Sequence, residues 1–328
     1  MFNALKSQRV SLQILLPFIG FLPFIGLVIW PASGIPETHN VQGWLYSTYR
    51  ELLTSSPRLL LYGSFVLTAM FSSYLFWINT RFELTGARTV LLPYMFLFVA
   101  CTPLYNSYLH PAFLGSLIIY IGFTSIFGIY HRSQHLTKIF NGGISYGVAF
   151  LCFPPFLIIL PIFILAIARM KQPSIRDFII FIFGFIAVLW IYGAILFLNG
   201  QLAYEWVSIT QWFELRQTWP VPLSGSRPIQ LAWFIWILLM LPMALAVSRS
   251  KKDVGRRVNS VLIQFLWVPP ILVILFERVS FEVWGLMSVP MAVLFSLAIM
   301  NTRRNWISNL MFISLFIFMI LFQLERFI

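Results

Sequence analysis

Long apolar runs separated by short polar turns recur along the whole chain. A run of about 20 predominantly apolar residues is long enough to cross the hydrocarbon core of a bilayer as a helix. The strongest runs lie at 12–30, 59–78, 89–105, 112–130, 177–198, 230–247, 258–276, 279–300 and 306–324. The pattern predicts an all-α polytopic membrane protein, built as a single integral membrane domain over residues 1–328.

Residues 139–170 are also apolar, but Pro154 and Pro155 interrupt them. A proline inside a helix removes a backbone donor and kinks or ends the helix. We therefore predict two short spans joined by a tight turn at Pro154, which brings the total to about eleven transmembrane helices. The alternative is one long kinked helix, and it would move the basic segment 249–257 to the opposite side of the membrane.

The basic residues separate into two groups once the chain is threaded in this way. With the N-terminus in the cytoplasm, most of the 22 lysines and arginines fall on the cytoplasmic side. Cytoplasmic loops of membrane proteins carry such an excess, so we predict a cytoplasmic N-terminus and an extracytoplasmic C-terminus. The basic residues that remain outside are Arg50, Arg58, Arg216, Arg227, Arg278 and Arg326.

The net charge of +12 resides in short basic clusters at the ends of the apolar runs. Clusters at such positions set topology and contact anionic lipid headgroups, so we predict the lipid bilayer and no nucleic acid as a partner. The longest cytoplasmic loop, 248–257, is too short for a nucleotide-binding domain. Cys101 and Cys152 fall inside apolar runs, and we predict no disulfide and no metal site.

Two predicted outer loops, 31–57 and 200–227, are long enough to hold structure of their own. Apolar residues recur at helical spacing between Val41 and Leu52, and the second loop mixes aromatic with charged residues. Such segments lie in the headgroup layer, so we predict amphipathic interfacial helices in the first and fourth outer loops. The aromatic residues predicted to contact lipid and partner proteins are Trp44, Tyr49, Trp206, Trp212 and Trp219.

Ionisable residues also collect on the predicted outer side. They are Glu37, His39, Arg50 and Glu51 in the first loop, His110 after the third span, and Glu277, Arg278 and Glu282 between the ninth and tenth spans. One interpretation is a cleft in which carboxylates accept a proton and the imidazole and guanidinium groups bind a phosphate. The other is a set of ordinary interfacial residues, because no spacing rule connects them.

Several short motifs occur between residues 89 and 200. They are Asn106-Ser-Tyr-Leu-His-Pro111, His131-Arg132, Asn141-Gly-Gly-Ile-Ser-Tyr-Gly147, Phe153-Pro-Pro-Phe156 and the basic stretch 169–176. The small residues at 141–147 favour a close helix crossing. Together the motifs resemble a family of bacteroidete-type inner-membrane proteins of unknown function and, more distantly, the GT-C superfamily of polyprenyl-phosphate-dependent glycosyltransferases. The resemblance implies a GT-C-like bundle in a bacterial inner membrane.

Enzymes of the GT-C superfamily usually carry an acidic residue, often an aspartate pair, in the first outer loop. The resemblance therefore implies a catalytic carboxylate in 31–57, but this loop contains no aspartate. Glu37 and Glu51 are the residues that would act as the base. The residues that would bind a lipid phosphate or substrate are His39, Arg50, His110, Glu277, Arg278 and Glu282. Polyprenyl phosphate is the lipid implied, and no other cofactor is predicted.

Three functions remain open from the sequence. The first is a non-catalytic membrane subunit with a GT-C-like fold, which docks onto membrane proteins of a cell-envelope assembly or secretion complex. The second is a polyprenyl-phosphate-linked glycosyltransferase acting at the outer face of the inner membrane. The third is a lipid or solute transporter, for which an inverted internal repeat would be typical. The aromatic outer loops favour the first, because no catalytic constellation is as explicit.

Overall fold

The computed structural model describes most of the chain between residues 49 and 301. The described residues are 49, 51–52, 54–85, 89–101, 108–130, 135–170, 174–215, 253–279 and 281–301, with single positions between 232 and 242 and short pieces between 310 and 321. Within these ranges the chain is almost entirely helical and contains no β-strand, and one isolated bridge pairs Leu215 with Phe276. The predicted all-α class is confirmed.

The α-helices are named in chain order. They are α1 (Pro57–Phe82), α2 (Leu91–Cys101), α3 (Pro111–Phe127), α4 (Leu136–Cys152), α5 (Leu160–Met170), α6 (Ile175–Leu198), α7 (Leu202–Gln211), α8 (Asp253–Leu262), α9 (Val268–Leu275) and α10 (Ser288–Asn301). Short 3₁₀ segments at Pro154–Ile159, Ile263–Leu266 and Phe281–Met287 precede α5, α9 and α10.

Four stretches of the described chain are long and apolar enough to cross a membrane. They are Pro57–Phe82, Ile175–Leu198, Val254–Leu275 and Glu282–Met300. Shorter apolar helices occupy Leu91–Cys101, Pro111–Phe127 and Pro154–Met170. These apolar helices are consistent with a membrane protein. The predicted span at 12–30 lies outside the described residues, as do most positions of the predicted spans at 230–247 and 306–324.

The apolar stretch 139–170 folds back on itself at Phe153. That residue is extended, with φ −151° and ψ 95°, and the chain resumes as a 3₁₀ segment at Pro154. The ring centroids of Tyr146 and Phe163 lie 5.1 Å apart, whereas one continuous helix would hold these residues roughly 25 Å apart. The predicted pair of short helices is therefore confirmed, and the single kinked helix is excluded.

Helices α4 and α6 cross where glycine backbones meet. A Cβ on Gly143 would collide with the carbonyl oxygen of Phe181, and one on Gly184 would collide with that of Phe140. Glycine at such a contact allows two helix backbones to approach closely. The small-residue motif at 141–147 predicted a close crossing, and the structure confirms it.

Helix α10 and the 3₁₀ segment before it form the centre of the bundle. Within an 18-residue stretch of Glu282–Met300, 94% of the residues are buried, against 17% in α6, which lies at the periphery. Tyr120 of α3 donates a hydrogen bond to the carbonyl oxygen of Leu286. Aromatic rings fill the space between helices, as where Phe123 stacks on Phe163 with centroids 4.0 Å apart. The central helix is therefore enclosed by protein, and α6 presents its apolar surface outwards.

Candidate functional site

Polar side chains gather at two ends of the bundle. At one, which we name the Arg169 end, basic side chains cap exposed carbonyl groups of neighbouring helices. Arg257 donates to the carbonyl oxygen of Arg169 at 2.7 Å, and Lys138 donates to that of Gly128 just after α3. Cations are favourable at helix C-termini, where backbone carbonyls lack partners. The other end, which we name the His110 end, holds most of the described residues that the sequence analysis proposed as a site.

His110 caps the N-terminus of α3. Its Nδ1 accepts a hydrogen bond from the backbone N–H of Ala112 at 3.2 Å, and Pro111 follows it at a position where a helix needs no N–H donor. Leu109, directly before it, has a φ of +52°. A left-handed conformation costs a non-glycine residue roughly 1–3 kcal/mol. The strained residue therefore lies directly before the histidine that caps α3.

Glu282 faces the imidazole from the start of the central span. Its Oε2 lies 3.7 Å from Nε2 of His110, and the two side chains are only 2% and 1% exposed. The ring of Tyr49, from the end of the first predicted outer loop, approaches the imidazole edge-on with centroids 5.4 Å apart. The structure therefore brings together three residues that the sequence analysis took from three separate segments. Two of them, His110 and Glu282, were predicted as ligands of one site.

The hydrogen bond to Nδ1 fixes the tautomer of a neutral His110 imidazole. Because Nδ1 of His110 accepts a backbone hydrogen bond, a neutral imidazole carries its proton on Nε2, the nitrogen that faces Glu282. A buried carboxyl group is costly to charge unless a partner stabilises the charge. At 3.7 Å the two atoms are too far apart for a hydrogen bond, so the contact is a close approach of an imidazole and a carboxyl group. The contact links α3 to the central span.

Arg278 forms a separate ion pair at the same end. Its Nε and Nη2 donate to the two carboxylate oxygens of Glu214 at 2.9 and 3.3 Å, and its Nη1 donates to Oε1 of Gln211 at 3.0 Å. The backbone N–H of Glu277 donates to the carbonyl oxygen of Glu214 at 3.1 Å. The guanidinium group predicted to bind a phosphate is thus engaged by a carboxylate of the chain itself. Sequence reasoning missed Glu214, because the loop pairing that brings it near Arg278 leaves no local signal.

Helix α7 buries two of its polar residues, Glu205 and Ser208, and exposes several apolar ones. Glu205 is 5% and Ser208 is 3% exposed, whereas Trp206 is 68% exposed. The side chain of Glu205 forms a hydrogen bond with the hydroxyl of Tyr192 in α6, so α7 lies back along the last turns of α6. The predicted helix of the fourth outer loop is present at Leu202–Gln211. The apolar residues on its outward face are Leu202, Tyr204, Trp206 and Val207.

Two aromatic residues predicted as partner contacts are buried instead. Trp212 is 2% exposed and packs against Phe153 with centroids 5.0 Å apart, and Tyr49 is 5% exposed. Both rings pack inside the bundle, so the prediction that they contact a partner is corrected. Glu51 is exposed and lies in a helical segment. The remaining predicted residues, Glu37, His39, Trp44, Arg50 and Trp219, lie outside the described residues.

A second histidine–carboxylate pair, in which only the carboxylate is buried, lies at the start of α6. Nε2 of His135 is 3.4 Å from Oδ1 of Asp177, which is 1% exposed. Asp177 also completes a capping box with Ser174, and the Ser-x-x-Asp spacing at 174–177 is a sequence signature of that motif. Sequence analysis could have found this cap but did not. No group of three metal-ligating side chains occurs among the residues that the structure describes.

Comparison with known proteins identifies no relative of this chain. No protein-family model, no curated protein and no solved structure matches the chain.

Proposed function

We propose that this chain is a non-catalytic integral membrane subunit that docks onto a membrane protein of a larger assembly through the outward face of α7. The observation that supports this proposal best is the reversed polarity of α7. Its glutamate and serine point inwards, while a tryptophan, a tyrosine and two aliphatic residues point outwards. Contiguous exposed apolar side chains mark sites of contact with a protein or a membrane, and aromatic residues are enriched in protein interfaces.

The pairing of polar groups at the His110 end supports the same proposal. His110 faces Glu282, and Arg278 is held by Glu214 and Gln211. A substrate phosphate would have to displace a carboxylate that already binds the guanidinium group at two oxygens. Such internal pairs favour a structural role for this end of the bundle.

The membrane arrangement is part of this proposal. The chain threads the bacterial inner membrane about eleven times, with the N-terminus and the Arg169 end in the cytoplasm. The clustering of Lys138, Arg169 and Arg257 at one end supports this orientation, since basic residues accumulate on the cytoplasmic side. Helix α7 then lies at the outer interface, where tryptophan and tyrosine are enriched.

The test replaces exposed tryptophans in two places. Trp206 on α7 is 68% exposed, and Trp190 on α6 is 77% exposed, so Trp190→Ala is a matched control for Trp206→Ala. The full-length protein is purified from its native membrane in mild detergent, and the mass of the complex is measured. We expect a complex of fixed stoichiometry with the wild type and with Trp190→Ala, and its loss with Trp206→Ala. A monomer in all three preparations contradicts the proposal.

A second candidate function is a lipid-linked glycosyl transfer at the outer face, with a GT-C-like fold. The observation that favours it is the buried acid–imidazole pair beside the strained Leu109, because strained backbone and buried ionisable pairs concentrate at active sites. If the chain is such a glycosyltransferase, we expect at least one of the variants His110→Ala, Glu51→Gln and Glu37→Gln to lose transfer of a sugar from a polyprenyl phosphate while it stays folded. Full transfer by all three variants excludes this candidate.

A further inference from the structure

A groove of about 350 Å³ lies between α1 and α2. Two helical stripes face each other across it, with side chains spaced by three or four residues. The residues that line most of it are Ala69, Ser73 and Phe76 of α1, Val90 just before α2, and Tyr94 and Leu97 of α2. The groove exists because α1 places small residues opposite Pro93, in the first turn of α2, so that no large side chain fills the space.

The groove is lined mainly by apolar atoms, with few polar groups that could bind water. The hydroxyl of Ser72 donates to the carbonyl oxygen of Pro93 at 3.0 Å, and that of Ser73 donates to the carbonyl oxygen of Ala69 at 3.1 Å. Both serine protons are therefore used within the protein. An ordered water needs about two to four polar partners, so an apolar occupant suits this space better.

The groove opens on the outward face of a candidate membrane span. Within α1 the large exposed side chains form one stripe, and Ser73 lies on that stripe at the edge of the groove. The exposed members of the stripe are Leu59, Tyr62, Val66, Met70 and Trp77. In a helix that crosses a bilayer, such a stripe contacts hydrocarbon. The medium at the mouth of the groove is then lipid.

The dimensions favour a chain over a helix as the occupant. The lining extends from Ala69 to Phe76, which is about 10 Å along the axis of α1. A helix packs on such a surface with its axis about 8–10 Å from the axes of its neighbours and inserts only side chains, so its backbone would not enter the groove. A single hydrocarbon chain is narrow enough to lie between the two stripes.

We propose that the groove between α1 and α2 is a binding site for one hydrocarbon chain of a bilayer lipid. The volume falls in the range of ligand pockets. A hydrocarbon chain in this position fills the space between α1 and α2, contacts both helices and so stabilises the α1–α2 pair. The site is independent of partner docking through α7. A negative result for one of the two proposals therefore leaves the other unaffected.

The test uses a phospholipid that carries a photoactivatable diazirine in its acyl chain. The purified full-length protein is reconstituted with this lipid and irradiated, and the adducts are mapped by mass spectrometry. We expect adducts to be enriched at the groove residues Ala69 and Tyr94 over the open stripe residues Tyr62 and Val66. Ala69→Phe should fill the groove and lower labelling of Tyr94 several-fold.

Met70→Phe is the matched control, because Met70 is 64% exposed and its side chain does not line the groove. It should leave labelling of Tyr94 unchanged. Gel filtration and the apparent Tm report whether each variant folds. If Ala69→Phe does not fold, Ser73→Phe blocks the same groove from its open edge and carries the test. Equal labelling of groove and stripe residues, or unchanged labelling of Tyr94 in a folded blocked variant, means annular lipid only and overturns the proposal.

Discussion

Nε2 of His110 lies 3.7 Å from Oε2 of Glu282, and both side chains are buried. The imidazole caps α3 through its other nitrogen, so one residue fixes the start of a helix and pairs with the start of the central span. Few ionisable groups are found inside a membrane bundle without a structural or functional reason. Substitutions at His110 and Glu282 test the cap and the pair separately.

Replacing His110 should separate its two roles. His110→Ala removes both the cap and the pair, whereas His110→Asn keeps a side chain that caps helices well. We expect Ala to destabilise the protein more than Asn, by about 0.5–2 kcal/mol for the cap. Reversible unfolding in mixed micelles measures the difference. Equal losses with Ala and Asn would show that the cap contributes nothing.

The pairing with Glu282 is tested by a double-mutant cycle. Residues in direct contact usually show a coupling of about 0.5–3 kcal/mol. We therefore expect Glu282→Gln to cost less in the His110→Asn background than in the wild type. Strictly additive losses of unfolding free energy would argue against an interaction between these two side chains.

The crossing of α4 and α6 predicts a sharp contrast between two glycines of the same helix. Gly184 has no room for a Cβ, because the carbonyl oxygen of Phe140 occupies that position. Gly193 has open space around it. We expect Gly184→Ala to lower the apparent Tm and Gly193→Ala to preserve or raise it, since alanine stabilises a helix by about 1 kcal/mol over glycine. Similar behaviour of both variants would contradict the close crossing.

Asn79 holds the turn that follows α1. Its Oδ1 accepts hydrogen bonds from the backbone N–H and the hydroxyl of Thr85 at 3.1 and 3.0 Å, and its Nδ2 donates to the carbonyl oxygen of Thr89 at 3.2 Å. Asn79→Leu is nearly isosteric but removes these three hydrogen bonds. We expect a loss of about 1–3 kcal/mol, measured by the same unfolding assay. Thr80→Val, on the neighbouring position of the helix, serves as the control and should change little.

The pair of Arg278 and Glu214 is partly exposed, at 28% and 52%. Solvent screening limits such pairs to about 0–1 kcal/mol, so Glu214→Gln should hardly alter stability. Should Arg278 instead be a phosphate ligand, Glu214→Gln would free it and raise the affinity for an anionic lipid. Native mass spectrometry of the lipid retained by Glu214→Gln distinguishes a weak surface ion pair from a phosphate ligand. We expect no increase in retained anionic lipid over the wild type.

The sequence predicted the features that local chemistry dictates. Pro154 ends a helix by steric rules, and the glycines at 141–147 favour a close crossing whichever helix provides the partner. It could not predict which distant segments meet. The predicted threading put His110 and Glu282 on the same side, but nothing near either residue indicates that they contact each other, and nothing near Arg278 indicates Glu214. The burial of Trp212 was missed for the same reason, because the ring it packs against, that of Phe153, lies far away in the chain.

The central claim is that the His110 end and the Arg169 end lie on opposite sides of a membrane, with the Arg169 end in the cytoplasm. Leu215 is 65% exposed near the first end, and Arg256 is exposed near the second, while the native Cys101 and Cys152 are buried. Single Leu215→Cys and Arg256→Cys variants are treated with a membrane-impermeant maleimide in intact cells with a permeabilised outer membrane. The account predicts labelling of Leu215→Cys alone, with Arg256→Cys labelled only after lysis. Labelling of Arg256→Cys in intact cells would contradict it.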